Sequence, residues 1–327
     1  MTRGAEPFNF DGLHTAYPAL RDHILANGDK VSPRGEGTVE TLGMSFSVRD
    51  AVNRGVPLGC GRKVGIKMQV IDGTGNLAGA SYPDVAIRLA GVMDRFADEL
   101  PPLGEGENGL PASHAEEMHK RQPGLSEGDR FFQGAYGPRI GDQLEKVEEQ
   151  LRTDLATRQA IVSLWSETDR NPVWKDRPCT TEFQLMVRDG KLDIFVFMRA
   201  NDLWTGTCYD VFQFGQIQAA MAHVLGIPYG TYHHYATSLH IYDRDIERFK
   251  NVGYWKNSAE PFEINPREKW GPDWDALEPG TYKSWPEVRR AFTAMLDAAR
   301  SGEEYSPSNV VEEWYWDVLK QAVPSST

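Results

Sequence analysis

Residues 177–210 read RPCTTEFQLMVRDGKLDIFVFMRANDLWTGTCYD, and this stretch decides the fold class. From Thr181 to Val187 the pattern alternates, with Phe183, Leu185 and Val187 on one face, as a half-buried strand requires. Arg188-Asp-Gly-Lys191 follows, and an Asp-Gly pair tolerates the positive φ of a tight hairpin turn. Leu192 to Arg199 is the returning strand. A polar run from Arg199 leads to Asp210, and Val211 to Leu225 is an apolar helix stopped by Gly226.

Working outward, Ile227 to Tyr242 reads as further strand. On the other side, Leu144, Val147, Leu151 and Leu155 recur at helical spacing and predict an amphipathic helix over Asp142 to Thr157. Ala160 to Trp165 predicts a short buried strand. Strands and helices without regular alternation indicate an α+β fold. The region Asp98 to Gly134 is least regular, and its Pro, Gly and Glu clusters read as long loops on a surface or over a cleft, or as a domain boundary. The segments flanking it look like parts of one sheet, so 1–327 is expected to form a single domain.

The 327 residues are 40% apolar and 25% charged, which excludes a disordered or collagen-like chain. A net charge of −12, from 47 acidic against 35 basic residues, argues against a nucleic-acid partner but leaves room for a small anion held by a few arginines. Three cysteines are too few for a disulfide scaffold and suit a reducing cytoplasm. The opening MTRGAEPFNF has no apolar core of a secretory leader. The apolar run at Ile194–Met198 is far shorter than a membrane span, so no membrane partner is expected.

Cys179 follows Arg177-Pro178 and lies near Arg199 across the hairpin. It is either a small buried hydrophobe or a thiol whose pKa nearby arginines lower. Cys60 and Cys208 lack such neighbours in sequence and read as packing residues. Asp210 reads as a helix N-cap or as a carboxylate facing a ligand. His233, His234 and His240 match no zinc spacing, nor do His114 and His119, so no metal is expected. Gly73-Thr-Gly-Asn-Leu-Ala-Gly79 is not a dinucleotide fingerprint.

In order and spacing, Pro178-Cys179, the Asp-Gly-Lys-Leu hairpin, Arg199-x-x-Asp202, Gly206, the acid at 210 and His240-x-Tyr242 resemble the thymidylate synthase family. Arg34-Gly-Glu-Gly-Thr38 is similar to its phosphate loop, and Arg158 with Ala-Ile-Val-Ser-Leu-Trp to its inter-subunit arginine segment. The likeness covers roughly Arg34 to Asp72 and Tyr136 to Tyr242. Residues 73–135 and the C-terminal tail diverge. The resemblance implies a large mixed β-sheet packed with helices, one sheet face forming the interface of a homodimer. It implies that Cys179 is the nucleophile for C6 of a pyrimidine nucleotide, and that Arg34, Arg199 and, from the partner, Arg158 hold its phosphate. By the same resemblance His240 and Tyr242 bind the sugar hydroxyl, and Asp202 and Arg62 hold the co-substrate 5,10-methylenetetrahydrofolate. Tyr136 stands near C5, and Asp72 stands where the family has a catalytic glutamate.

Departures from the family pattern carry the finer reading. Asp210 replaces an asparagine that reads uracil. A protonated carboxyl can donate to N3 and accept from N4–H₂, which suits cytosine. All nine tryptophans lie at Trp165 or later, so no indole precedes Tyr136 to shield an activated methylene from water, unless Phe131 or Phe132 fills the gap. Gln159 and Ala200 replace an arginine and a serine of the phosphate set, and the tail lacks an apolar closing end. The pattern is therefore most similar to the pyrimidine nucleotide 5-hydroxymethylase branch, including the CMP 5-hydroxymethylases of mildiomycin-type nucleoside antibiotic biosynthesis. The rivals are a methylating member and a non-catalytic nucleotide-binding relative.

Overall fold

The structure, a computed structural model, describes residues 8–54, 60, 62, 64–103, 112–121, 125–170, 174–253 and 271–324. Its centre is a mixed sheet whose strands lie in the order Asn9–Phe10, Thr38–Val48, Tyr229–Tyr242, Lys191–Met198, Thr180–Arg188, Ile161–Ser163. Tyr229–Tyr242 runs antiparallel to Thr38–Val48 and parallel to Lys191–Met198, which fixes the class as α+β with a mixed sheet.

The hairpin forms as its sequence dictates. Phe183 pairs with Val196, Leu185 with Ile194 and Val187 with Leu192, all on the buried face. Asp189 and Gly190 turn the chain at φ 52° and 74°. Against that face packs the helix Thr207–Leu225, buried nearly all round and closed by Gly226 at φ 69°. Outside it lie the helices Ile66–Ala78, Trp285–Ser301 and Val310–Leu319, so the 207–225 helix is a middle layer. On the opposite sheet face Phe195 stacks on His233 and Phe197 lies against Tyr235, which is 39% exposed.

Two elements differ from the sequence expectation. The amphipathic helix is Gln143–Thr153, because Asp154 turns extended and its carboxylate accepts from the Ala156 N–H, leaving Leu155 exposed. The following strand is only Ile161–Ser163, with Ile161 outward. The glycine-rich 73–79 run lies in the 66–78 helix, and Gly79 caps it at φ 64°. Within the divergent 73–135 stretch the helices Pro83–Leu89 and Ala112–Arg121 form, as does a two-stranded sheet of Asp98–Glu99 with Arg130–Phe131. The loop clusters at 104–111 and 122–124, residues 254–270 and the last three residues of the tail lie outside the described residues. Among the described residues no helix is long and apolar enough to cross a membrane.

Candidate active site

A cavity of about 280 Å³ opens between the middle layer and residues 68–96 and 132–137. Asp72 enters it from the 66–78 helix, Tyr136 from the turn before Gly137, and Asp210 from the first turn of the 207–225 helix. Met68, Met93, Phe96, Phe132, Leu296 and Leu319 give it a largely apolar wall that fits a flat heterocycle. Phe132 faces the cavity and Phe131 does not; Phe131 packs edge-on against Trp174 in a separate cluster. Among the described residues no tryptophan lines the cavity.

Asp210 does not cap its helix. Gly206 occupies the N-cap, and Asp210, 6% exposed, is the fourth helical residue. Its Oδ1 accepts from Gln213 Nε2 at 2.9 Å and its Oδ2 from Asn201 Nδ2 at 2.7 Å. Burial pushes its carboxyl up to about 7, against those two hydrogen bonds and with the charge of Asp202 adding to the rise. Asp72 is likewise pushed up to about 7, first by burial and then by the charges of Asp210 and Asp176.

Cys179 opens the hairpin. Its carbonyl accepts from the Arg199 N–H at 2.9 Å, and Arg199 Nη2 lies 3.8 Å from Sγ. The expected lowering of its pKa does not occur. Burial pushes the thiol up to about 11; Arg199 opposes this, while Asp210, Asp176 and Asp202 reinforce it. Cys208 is buried as anticipated, yet it too has an arginine neighbour, with Arg62 Nη2 at 4.0 Å, and burial raises its thiol to about 12. Next to Cys179, Thr180 donates to the Tyr136 phenol from its N–H at 3.2 Å and its Oγ1 at 2.9 Å. The phenol is therefore an acceptor twice over, and its own proton is free to point elsewhere. Burial holds Tyr136 well above the ordinary tyrosine range.

The remaining expected residues spread from this centre. Asp202 and His240 sit side by side in parallel register. Asp202 accepts from Trp204 N–H at 2.8 Å and from the Thr205 hydroxyl, and burial raises its pKa. His240 packs edge-on against Tyr242 at 5.1 Å, and burial lowers its pKa. Arg62 is turned inward, donating to the Trp204 carbonyl at 2.8 Å with its guanidinium 4.2 Å above that indole. Neither Asp202 nor Arg62 lines the cavity. Arg34 is exposed, at φ 55° in a short turn. The end of that loop is tied to the 229–242 strand by Thr38 opposite Tyr242, by the Asp243 N–H to the Gly37 carbonyl at 2.9 Å, and by Arg244 on Glu36 at 2.5 Å. Arg158 is exposed beside the outer sheet face, its carbonyl accepting from Gln184 at 2.7 Å.

Sequence reasoning missed Asp176, Gln213, Asn76 and Asn201. Asp176 lines the cavity three residues before Cys179, and a Cβ on Gly134 would fall 2.0 Å from its Oδ2, so only glycine allows that approach. The position just before Pro178-Cys179 was a signal that could have been used. Behind Tyr136, buried Arg139 grips Asp169 through both terminal nitrogens at 2.6 and 2.7 Å and the Gln133 carbonyl at 2.5 Å, fixing this wall. Among the described residues no group of three or more His, Cys, Asp or Glu could hold a metal.

The family model for thymidylate synthase matches residues 15–268. The chain belongs to the thymidylate synthase family. Among its relatives, a deoxyuridylate hydroxymethyltransferase of Bacillus phage SP01 is 31% identical over 69% of this chain, which covers 56% of the phage protein's length. Thymidylate synthases of Listeria innocua serovar 6a and Listeria monocytogenes serotype 4b are 26% and 24% identical over 72% of this chain and 84% of their own length.

Proposed function

We propose that this thymidylate synthase family member transfers a one-carbon unit from 5,10-methylenetetrahydrofolate to C5 of CMP or dCMP and leaves it as a hydroxymethyl group. The observation that carries the cytosine reading is Asp210, inside the cavity and able to hold a proton near neutral pH. The hydroxymethyl outcome is supported by a cavity wall that carries no indole among the described residues and by the likeness to the phage hydroxymethyltransferase.

Cys179 Sγ bonds to C6, and the developing thiolate charge is stabilised by Arg199 at 3.8 Å. Because the free thiol is held protonated, its proton passes to a water as the bond to C6 forms. The C5=C6 electrons move toward N3, where the Asp210 proton offsets them, and C5 becomes the nucleophile. C5 takes the one-carbon unit and loses its proton to a water held by the Tyr136 hydroxyl, and tetrahydrofolate leaves as the exocyclic methylene forms. Asp72, pushed up to about 7, orders water at the other side of the cavity. Water then adds to the exocyclic methylene, the C5=C6 bond re-forms and Cys179 departs. Arg34 and Arg199 hold the phosphate and His240 and Tyr242 the sugar hydroxyl. Asp202 and Arg62 support the folate from behind the cavity wall. The enzyme works as a cytoplasmic homodimer paired through the outer face carrying Phe195, Phe197 and Tyr235, with Arg158 reaching the partner's phosphate.

The rival is a methylating enzyme, favoured by Phe132 standing in the cavity as an alternative shield. Incubating the protein with methylenetetrahydrofolate and equal CMP, dCMP, UMP and dUMP, followed by mass spectrometry, separates the readings. Hydroxymethylcytosine nucleotide with tetrahydrofolate is expected. Methylated product with dihydrofolate supports the rival, and no product with no exchange of the C5 hydrogen overturns catalysis altogether.

A further inference from the structure

Five buried polar side chains from three elements form one directed chain around Asp210. Thr207 Oγ1 donates to Asn201 Oδ1 at 2.6 Å, which leaves Asn201 Nδ2 to donate to Asp210 Oδ2. Asn76 Nδ2 donates to Gln213 Oε1 at 2.6 Å, which leaves Gln213 Nε2 to donate to Asp210 Oδ1. Gly206 lets the chain close, since a Cβ there would lie 2.8 Å from Asn201 Nδ2 and 3.3 Å from Asp210 Oδ2. Each carboxyl oxygen thus has one lone pair filled from within the protein. With one proton bound, what remains for a ligand is one O–H donor and one acceptor, the complement of cytosine N3 and N4–H₂. An asparagine at 210 would instead set its NH₂ against a neighbouring NH₂.

Resting on the reading of Asp210 as the base-facing residue, we propose that Gln213 and Asn201, oriented by Asn76 and Thr207, are positioning residues that determine base specificity: their two inward donors require a carboxyl at 210 and so exclude the uracil-reading amide. Base choice in this chain is then a property of the whole polar chain and not of residue 210 alone.

The test is a set of compensated swaps. Asp210→Asn alone should lose CMP turnover by roughly tenfold to a hundredfold and gain little on UMP, because the amide leaves two donors facing each other. In Asp210→Asn/Gln213→Glu the new carboxylate accepts from Asn76 and from the residue-210 amide, with charge and hydrogen-bond count conserved. Asp210→Asn/Asn201→Asp does the same on the other side, with Thr207 as the second donor. One of these doubles should raise kcat/KM for UMP at least about tenfold over the single variant, the energy of one repaired buried pair. Which one does so reports which oxygen faces position 4 of the base. Both doubles should also melt at higher temperature than Asp210→Asn. The proposal is overturned if the single variant already turns over UMP as well as either double, or if neither double exceeds it in both melting temperature and UMP turnover. Wild-type preference for UMP over CMP would sink the cytosine reading instead, and the melting comparison would still judge the clamp.

Discussion

The proposed base end and the proposed phosphate end of the site are built in opposite ways. At the base end Asp210, Tyr136 and Asp72 are held by buried contacts within one chain: Gln213 and Asn201 on Asp210, Thr180 on Tyr136, and helix packing around Asp72. At the proposed phosphate end Arg34, Arg158 and Arg199 are exposed; their backbone is fixed, and the Arg199 guanidinium also donates to the Pro178 carbonyl at 3.1 Å. The Arg34 loop is fastened to the 229–242 strand, Arg158 to Gln184 and Arg199 to Cys179. A neutral base edge must be read by dipoles whose directions are set in advance, because an unmatched buried pair is costly. A dianionic phosphate can draw exposed guanidinium groups into place as it arrives. On the proposed reading, the base end is assembled within one chain, and the phosphate end is where a second chain would contribute.

The most severe break of this contrast is at the nucleophile. Cys179→Ala should lower kcat by about four powers of ten, as removal of a covalent nucleophile does. Nucleotide affinity by calorimetry should hardly change, since phosphate and base contacts lie on other residues. Turnover above about a hundredth of wild type would remove the covalent step.

Stability against pH sharpens the buried end. In the folded chain Asp72 keeps its proton up to about pH 7, whereas in the unfolded chain it ionises near its ordinary value of 3.8. The folded state therefore binds the extra proton between those values, and the Asp72 contribution to stability falls as pH rises through that window. Asp72→Asn removes the penalty, so the variant should exceed wild type by about 2–4 kcal/mol at pH 8 and match it near pH 4. Denaturant melts at both pH values check this, and equal gains at both would refute the buried-carboxyl account. The same substitution should depress turnover, as stabilising a catalytic position commonly does.

The open end should respond more gently. Arg34→Ala should raise KM for the nucleotide about tenfold with little change in kcat, and that loss should shrink at high salt, because an exposed guanidinium is screened. A change confined to kcat would show that Arg34 acts on the base instead.

The smallest effect tests sharing. Mixed and refolded, the inactive Cys179→Ala and Arg158→Ala chains should form hybrids with one intact site in half of the dimers, giving about a quarter of wild-type activity. Activity no higher than the separate variants, or a monomer by light scattering, would place Arg158 outside the site.

The hairpin was legible in sequence because alternation, the Asp-Gly turn and the Gly226 stop are local effects, set by residues within a few positions of one another. The ordered set from Arg34 to Tyr242 likewise pointed to the family before any geometry was known. What lay beyond the sequence depends on burial and on contacts between distant elements. Arg199 suggested a lowered Cys179 pKa, but burial and three carboxylates push it up instead. Asp210 stood where a cap would stand, but the helix begins three residues earlier and Gln213, one turn on, takes its carboxylate. Asn76 gave no signal, since its meaning comes from Gln213, 137 positions away. Sequence determined the elements and the chemical types of the site, because propensity and pattern are short-range. Only the tertiary structure decided protonation and hydrogen-bond direction, because those are summed over everything that surrounds a group in space.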